Sequence, residues 1–134
     1  MTSSNKILCD ADFLIGLFLI DDSNFDNATA IYEKFSNTHN FIVLNLTKYE
    51  FATVLSRKLP QDLAIRINQQ FLEQFTSEVY FEKSWEMEVY TLYDSFQRKN
   101  ISFFDCACMI YAKKVNAKIA SFNNFYPAEI LVKL

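Results

Sequence analysis

The stretch KILCDADFLIGLFLIDD, Lys6–Asp22, decides how the chain is read. Lys6–Cys9 has the length and apolar character of a short buried strand. Phe13–Ile20 is apolar on every side, the pattern of a fully buried helix start. Between the two stand a pair of carboxylates, Asp10 and Asp12. Charge at the junction of a buried strand and a buried helix is costly unless something pairs with it. The eight-residue run from Phe13 to Ile20 is flanked by Asp10 and Asp12 on one side and Asp21 and Asp22 on the other. It is too short to cross a bilayer and has the wrong flanks for export, so no membrane association is expected.

Working outward, strands alternate with helices. Phe25, Ala28, Tyr32 and Phe35 fall on one helical face, and NFIVLN (Asn40–Asn45) reads as a second strand. A helix is expected from about Lys48 to Lys58, with Phe51, Val54 and Leu55 inward. Pro60 suits the first turn of the next helix, where Leu63, Ile67, Phe71 and Phe75 recur every four residues. EVYFE (Glu78–Glu82) reads as a third strand. Ser84 is placed to cap a helix with Trp85, Val89, Leu92 and Phe96 inward. Ser102 starts the last helix, with Phe104, Cys108, Tyr111 and Val115 aligned, and AKIAS (Ala117–Ser121) and EILVKL (Glu129–Leu134) read as closing strands. Short apolar strands between amphipathic helices predict an α/β fold: one domain over residues 1–134, with a central parallel sheet of four to five strands and helices on both faces.

Composition narrows the chemistry. Half of the residues are apolar and 16% are aromatic, which favours a packed core over disorder. Gly16 is the single glycine, so a glycine-rich phosphate loop is excluded. The net charge of −3 advertises no basic face. A nucleic-acid substrate would need local Lys and Arg, or metal ions, to offset an acidic site. Cys9, Cys106 and Cys108 suggest neither a zinc cage nor disulfides and fit reduced, buried thiols of a cytoplasmic protein. His39, the one histidine, lies in a polar loop and gives little support to histidine acid–base chemistry. Arg57 and Lys58 end the Glu50 helix, where cations suit the helix dipole. Lys113, Lys114 and Lys118 read as a solvated helix end.

In an open parallel sheet, sites form at the carboxyl ends of the strands. Asp10 closes the first strand. Glu50 and Asp105 are expected in the first turns of their helices, and Asn123 follows the fourth strand. Helix capping accounts for each acid taken singly. TKYE (Thr47–Glu50) and SFFD (Ser102–Asp105) fit or nearly fit a capping box, and Asp12 fits an N-cap. Capping and metal binding are not exclusive, because the helix dipole keeps a first-turn carboxylate ionised. Three converging carboxylates repel one another, whereas Mg²⁺ or Mn²⁺ between them turns the repulsion into a binding site. Such an ion can activate a bound water and hold a phosphate oxygen.

ILCDADFLIGLF, LTKYEFATVLSRK and ISFFDCACMIYAKKVNAKIASFNNF together resemble the PIN-domain nucleases, in particular the VapC-like toxins of type II toxin–antitoxin systems. The resemblance covers nearly the whole chain. It implies Asp10, Glu50 and Asp105 as catalytic metal ligands of a Mg²⁺- or Mn²⁺-dependent endoribonuclease. It further implies an RNA substrate, a cognate antitoxin and a homodimer. Asn123 stands where the family usually has a fourth acid, and Asp12 where it more often has Asn, Ser or Thr. On this reading Asp12 supplies part of the charge missing at Asn123, and Ser121 matches the family's hydroxyl residue beside substrate or metal-bound water. Two rival functions remain open. One is a PIN-like module that has lost catalysis at Asn123 and binds protein or RNA. The other is a haloacid-dehalogenase-type phosphatase, suggested by Asp10-Ala11-Asp12 but lacking that family's later motifs.

Overall fold

The computed structural model describes residues 5–96 and 100–134. Strand β1 (Lys6–Cys9) leads into helices α1 (Ala11–Phe18) and α2 (Phe25–Phe35), then into β2 (Asn40–Leu44). Helices α3 (Asn45–Lys58) and α4 (Gln61–Gln74) follow, then β3 (Glu78–Val79), α5 (Glu86–Ser95), α6 (Phe103–Val115) and β4 (Lys118–Ala120). Among the described residues, four strands form one parallel sheet in the order β3-β2-β1-β4. The chain steps from β1 outward through β2 to β3, then returns to place β4 on the other side of β1. The direction of winding therefore reverses between β1 and β4, and the crevice beyond their carboxyl ends is where such sheets bind ligands.

Strands β1, β2 and β4 are buried on both faces, and their alternation divides the core in two. Ile7, Cys9, Phe41, Val43 and Ala120 face one layer with Phe13, Leu14, Phe51, Leu55 and Phe71. Leu8, Ile42, Leu44 and Ile119 face the other, with Val89 and the continuous run Cys106–Ala112 of α6. Gly16 lets α1 and α2 approach closely: a Cβ there would lie 3.2 Å from the Asn24 Cβ and 3.3 Å from the Ala28 Cβ. No helix among the described residues is long and apolar enough to cross a membrane. All three cysteines are buried free thiols.

Several local expectations are corrected. Helix α1 stops at Phe18, and Ile20 turns out to solvent at 75% exposure. Helix α3 begins at Asn45, so strand β2 runs directly into it. Its first turn is fastened from outside, where the Phe81 amide donates to Asn45 Oδ1 at 3.1 Å. Thr47 therefore lies inside the helix, buried beside the Cys108 thiol, and makes no capping box with Glu50. The same Phe81–Asn45 bond draws the chain out of the sheet, so only Glu78 and Val79 of EVYFE pair with β2. Pro60 occupies the N-cap of α4, one position before the first turn. Ser84 sits in a short 3-10 turn, Lys83–Trp85, and caps nothing; Phe96 is the C-cap of α5 rather than part of its face. Phe104 on α6 is exposed rather than inward. EILVKL is no strand: after turns at Pro127–Leu131 it touches β4 through one bridge, Ile119 to Leu131.

Candidate active site

Asp10 is the residue with which β1 becomes α1. Its amide donates to the Ala120 carbonyl of β4 at 3.0 Å, continuing the sheet. Its side chain caps α1, accepting from the Ala11 amide at 2.9 Å. The N-cap is thus Asp10 and not Asp12, which lies in the first turn of α1. Asp12 reaches across to the segment after β4, where Oδ2 accepts from the Phe122 amide at 3.0 Å. Ser121, the first residue beyond β4, stands between the two acids. Its Oγ is 3.0 Å from Asp10 Oδ2 and 3.1 Å from Asp12 Oδ1. A hydroxyl has one proton to donate, so it cannot serve both carboxylates at once.

Glu50 and Asp105 approach from the other two elements. Because α3 starts early, Glu50 lies in its second turn and plays no part in capping. Asp105 does cap: Ser102 Oγ accepts from the Asp105 amide at 3.1 Å, and Asp105 Oδ2 accepts from the Ser102 amide at 3.0 Å. This reciprocal box fixes the Asp105 carboxylate at the mouth of α6. Asp105 is 8% exposed and Asp10 4%, so both carboxyl groups are buried.

The electrostatics follow from that crowding. Burial, then repulsion by Asp12 and Asp105, pushes the Asp10 carboxyl up to about 7. Burial, then Asp10, Asp105 and Asp12, pushes Glu50 up to about 7 as well. Asp12 is raised chiefly by burial, against the pull of its bonds from Phe122 and Ser121. Each of these acids is at odds with the others, and no cationic side chain among the described residues joins them. Glu50 Oε1 is buried with no hydrogen-bond partner, the one such side-chain atom among the described residues. A buried carboxylate oxygen without a donor is costly and calls for a proton or a cation. Among the described residues no three acidic, His or Cys side chains close into a compact cage. The donor set is nevertheless that of a hard divalent cation: carboxylate oxygens, crowded and underneutralised. No hydrogen bond among the described residues holds the Glu50 side chain.

Asn123 is next to this cluster without entering it. Its Oδ1 accepts from the Phe125 amide at 3.0 Å, and its own amide donates to Ser121 Oγ at 3.0 Å. It shapes the turn that holds Ser121. His39 lies just before β2, at the opposite ends of the strands from the acids. Lys114 pairs with Glu88 at 2.9 Å, and Lys118 Nζ donates to the Glu129 carbonyl. These lysines serve the surface.

One site contact was not legible beforehand. The Tyr126 hydroxyl donates to Asp10 Oδ2 at 3.1 Å from a buried position. A buried tyrosine requires a partner for its hydroxyl, and the nearby acid supplies it. The signal was the aromatic pair Phe125–Tyr126 after the asparagines, but a turn has no periodicity to show which way a ring points.

Comparison with known proteins bears on the family and the fold. The family model for the PIN domain matches residues 7–126. The crystal structure of Mycobacterium tuberculosis VapC20, a sarcin–ricin loop cleaving toxin, superposes with a TM-score of 0.76 at 17% identity. The match covers 96% of this chain and 98% of that one. No curated protein matches the chain.

Proposed function

Since the chain belongs to the PIN-domain family, we propose that it is a divalent-metal-dependent endoribonuclease, the toxin of a toxin–antitoxin pair. The observation that carries the proposal is the buried, partnerless Glu50 Oε1 set among Asp10, Asp12 and Asp105. Asp10, Glu50 and Asp105 would hold Mg²⁺ or Mn²⁺, with Asp12 adding negative charge where Asn123 has none. A bound divalent cation would supply a water of lowered pKa and neutralise charge developing on a phosphodiester. The chain's own residues do the positioning. Ser121 and Tyr126 orient Asp10 through its Oδ2. The capping box holds Asp105, and the Phe122 amide holds Asp12. RNA is the substrate class in keeping with the solved toxin of like fold. The partners in this reading are a cognate antitoxin and a second copy of the chain, in the cytoplasm.

One observation favours a second reading, a PIN-like binding module without catalysis. Asp10 and Asp105 both have structural work as helix caps, and the Asn123 carbonyl oxygen is engaged by Phe125. Product ends separate the readings. Attack by water that expels the 3′-oxygen leaves a 5′-phosphate and a 3′-hydroxyl, so RNA incubated with Mn²⁺ should yield fragments competent for direct ligation. No fragments with folded protein would favour the binding module. Fragments ending in 2′,3′-cyclic phosphate would exclude water as the nucleophile.

A further inference from the structure

A cleft of about 330 Å³ opens directly beside Glu50. Its floor is one face of α3, where Glu50, Thr53, Val54 and Arg57 follow at helical spacing, and Phe104 from the first turn of α6 forms the facing wall. Two of these side chains lack a side-chain partner among the described residues. Arg57 is exposed and makes no ion pair among the described residues, whereas Lys48, Arg66 and Lys114 each pair with an acid. Phe104 is 39% exposed and makes no ring contact among the described residues. Its neighbour Phe103 stacks on Tyr93 with ring centroids 4.1 Å apart. Phe104 lines the cleft together with Glu50, so its ring and one of the acids share this space.

An unpartnered guanidinium and an unpartnered aromatic face, both lining one cleft with a site acid, match the two parts of a nucleotide. Guanidinium pairs with phosphate, and an aromatic ring stacks on any base. We propose that this cleft binds the nucleotide flanking the scissile phosphate, with its base stacked on Phe104 and its phosphate held by Arg57. A stacked base must be out of its helix, so the substrate class is RNA with an unpaired nucleotide at that position. The inference rests on the nuclease reading for the words "scissile phosphate", but the binding it describes is measurable without cleavage.

The test is fluorescence anisotropy of a labelled single-stranded RNA oligonucleotide in Ca²⁺, alongside cleavage in Mn²⁺, for wild type, Arg57→Ala, Phe104→Ala, Phe104→Trp and Lys58→Ala. Lys58 shares the last turn of α3 and its dipole but does not line the cleft. Phe104→Ala should weaken binding about tenfold and Phe104→Trp should restore it. Arg57→Ala should lower the slope of log affinity against log salt by about 0.7, the value for one phosphate contact on a single strand. Lys58→Ala should change neither. If wild type cleaves and all four variants cleave and bind alike, the cleft proposal is overturned and the nuclease reading stands. If wild type binds without cutting and the Arg57 and Phe104 variants weaken it, the subsite holds and the nuclease reading fails. Variants that change the oligomeric mass but not RNA affinity would reassign the cleft to a protein interface. Wild type that neither binds nor cuts RNA would overturn both.

Discussion

Asp10→Asn should stabilise the metal-free protein at alkaline pH and destabilise the metal-loaded one. The carboxyl of Asp10 is raised from 3.8 to about 7 by burial and by its acidic neighbours. At about 1.36 kcal/mol per unit, keeping it ionised above pH 7 costs the folded state on the order of 4 kcal/mol. Asparagine removes that charge and keeps an acceptor for the Ala11 amide, while its amide group can donate to the Ser121 and Tyr126 hydroxyl oxygens. Those hydroxyls must turn, which offsets part of the gain, so a net stabilisation of about 2 kcal/mol is expected, or roughly 6 °C at this chain length. The sign depends on pH. Between the unfolded and folded values the native carboxyl binds a proton that the unfolded chain does not, so wild type is fully stable below about 4 and loses stability as pH rises through about 7. The advantage of Asn should therefore be large near pH 8 and absent near pH 5. Urea unfolding in EDTA at both pH values measures it. With Mn²⁺ at about a hundred times its dissociation constant, wild type should gain roughly 2.7 kcal/mol and the order should reverse. An Asn variant less stable than wild type at pH 8 in EDTA, or an equal difference at both pH values, would refute the crowded-charge account.

Four further outcomes follow from the same geometry. Asp12→Asn should lower Mn²⁺ affinity severalfold in a calorimetric titration; unchanged affinity would show that Asp12 does not make up for the charge absent at Asn123. Ser102→Ala should cost about 1 kcal/mol in urea unfolding by removing the acceptor for the Asp105 amide. Ser84→Ala, in a turn where its side chain caps nothing, should stay within about 0.5 kcal/mol. Phe51→Ala should cost about 3–5 kcal/mol in the same assay, because the ring is fully buried with centroids 4.8 Å from Phe71 and 5.8 Å from Phe18.

The parts of this molecule that could be read in advance are those with a period. Strand β1 matches Lys6–Cys9 residue for residue, because a short apolar run between a lysine and an aspartate leaves no other reading. The capping box of α6 was equally clear, since Ser102 and Asp105 stand three apart before an apolar run. The same logic misled at Thr47–Glu50. There the helix had already begun at Asn45, fastened by Phe81, a contact between residues 36 apart that no local pattern contains. The exchange of roles between Asp10 and Asp12 has a similar origin. Both are capping residues by type, and only the position of β4, which supplies Ser121 and Phe122, decides which acid turns inward. That Asp10, Glu50 and Asp105 lie near enough to repel one another follows the parallel-sheet rule. Tyr126 was not legible, because it acts from an aperiodic turn.

The central claim is that these carboxylates assemble a metal site that cuts RNA. Cleavage of a mixed pool of structured RNAs, in Mn²⁺, Mg²⁺ or EDTA, tests it most directly when wild type is run beside Asp10→Asn and Asp105→Asn. The account predicts cutting by wild type with either metal, none in EDTA, and none by either variant. Cutting that persists in EDTA or in both variants, or no cutting by folded, antitoxin-free wild type even in Mn²⁺, would contradict it.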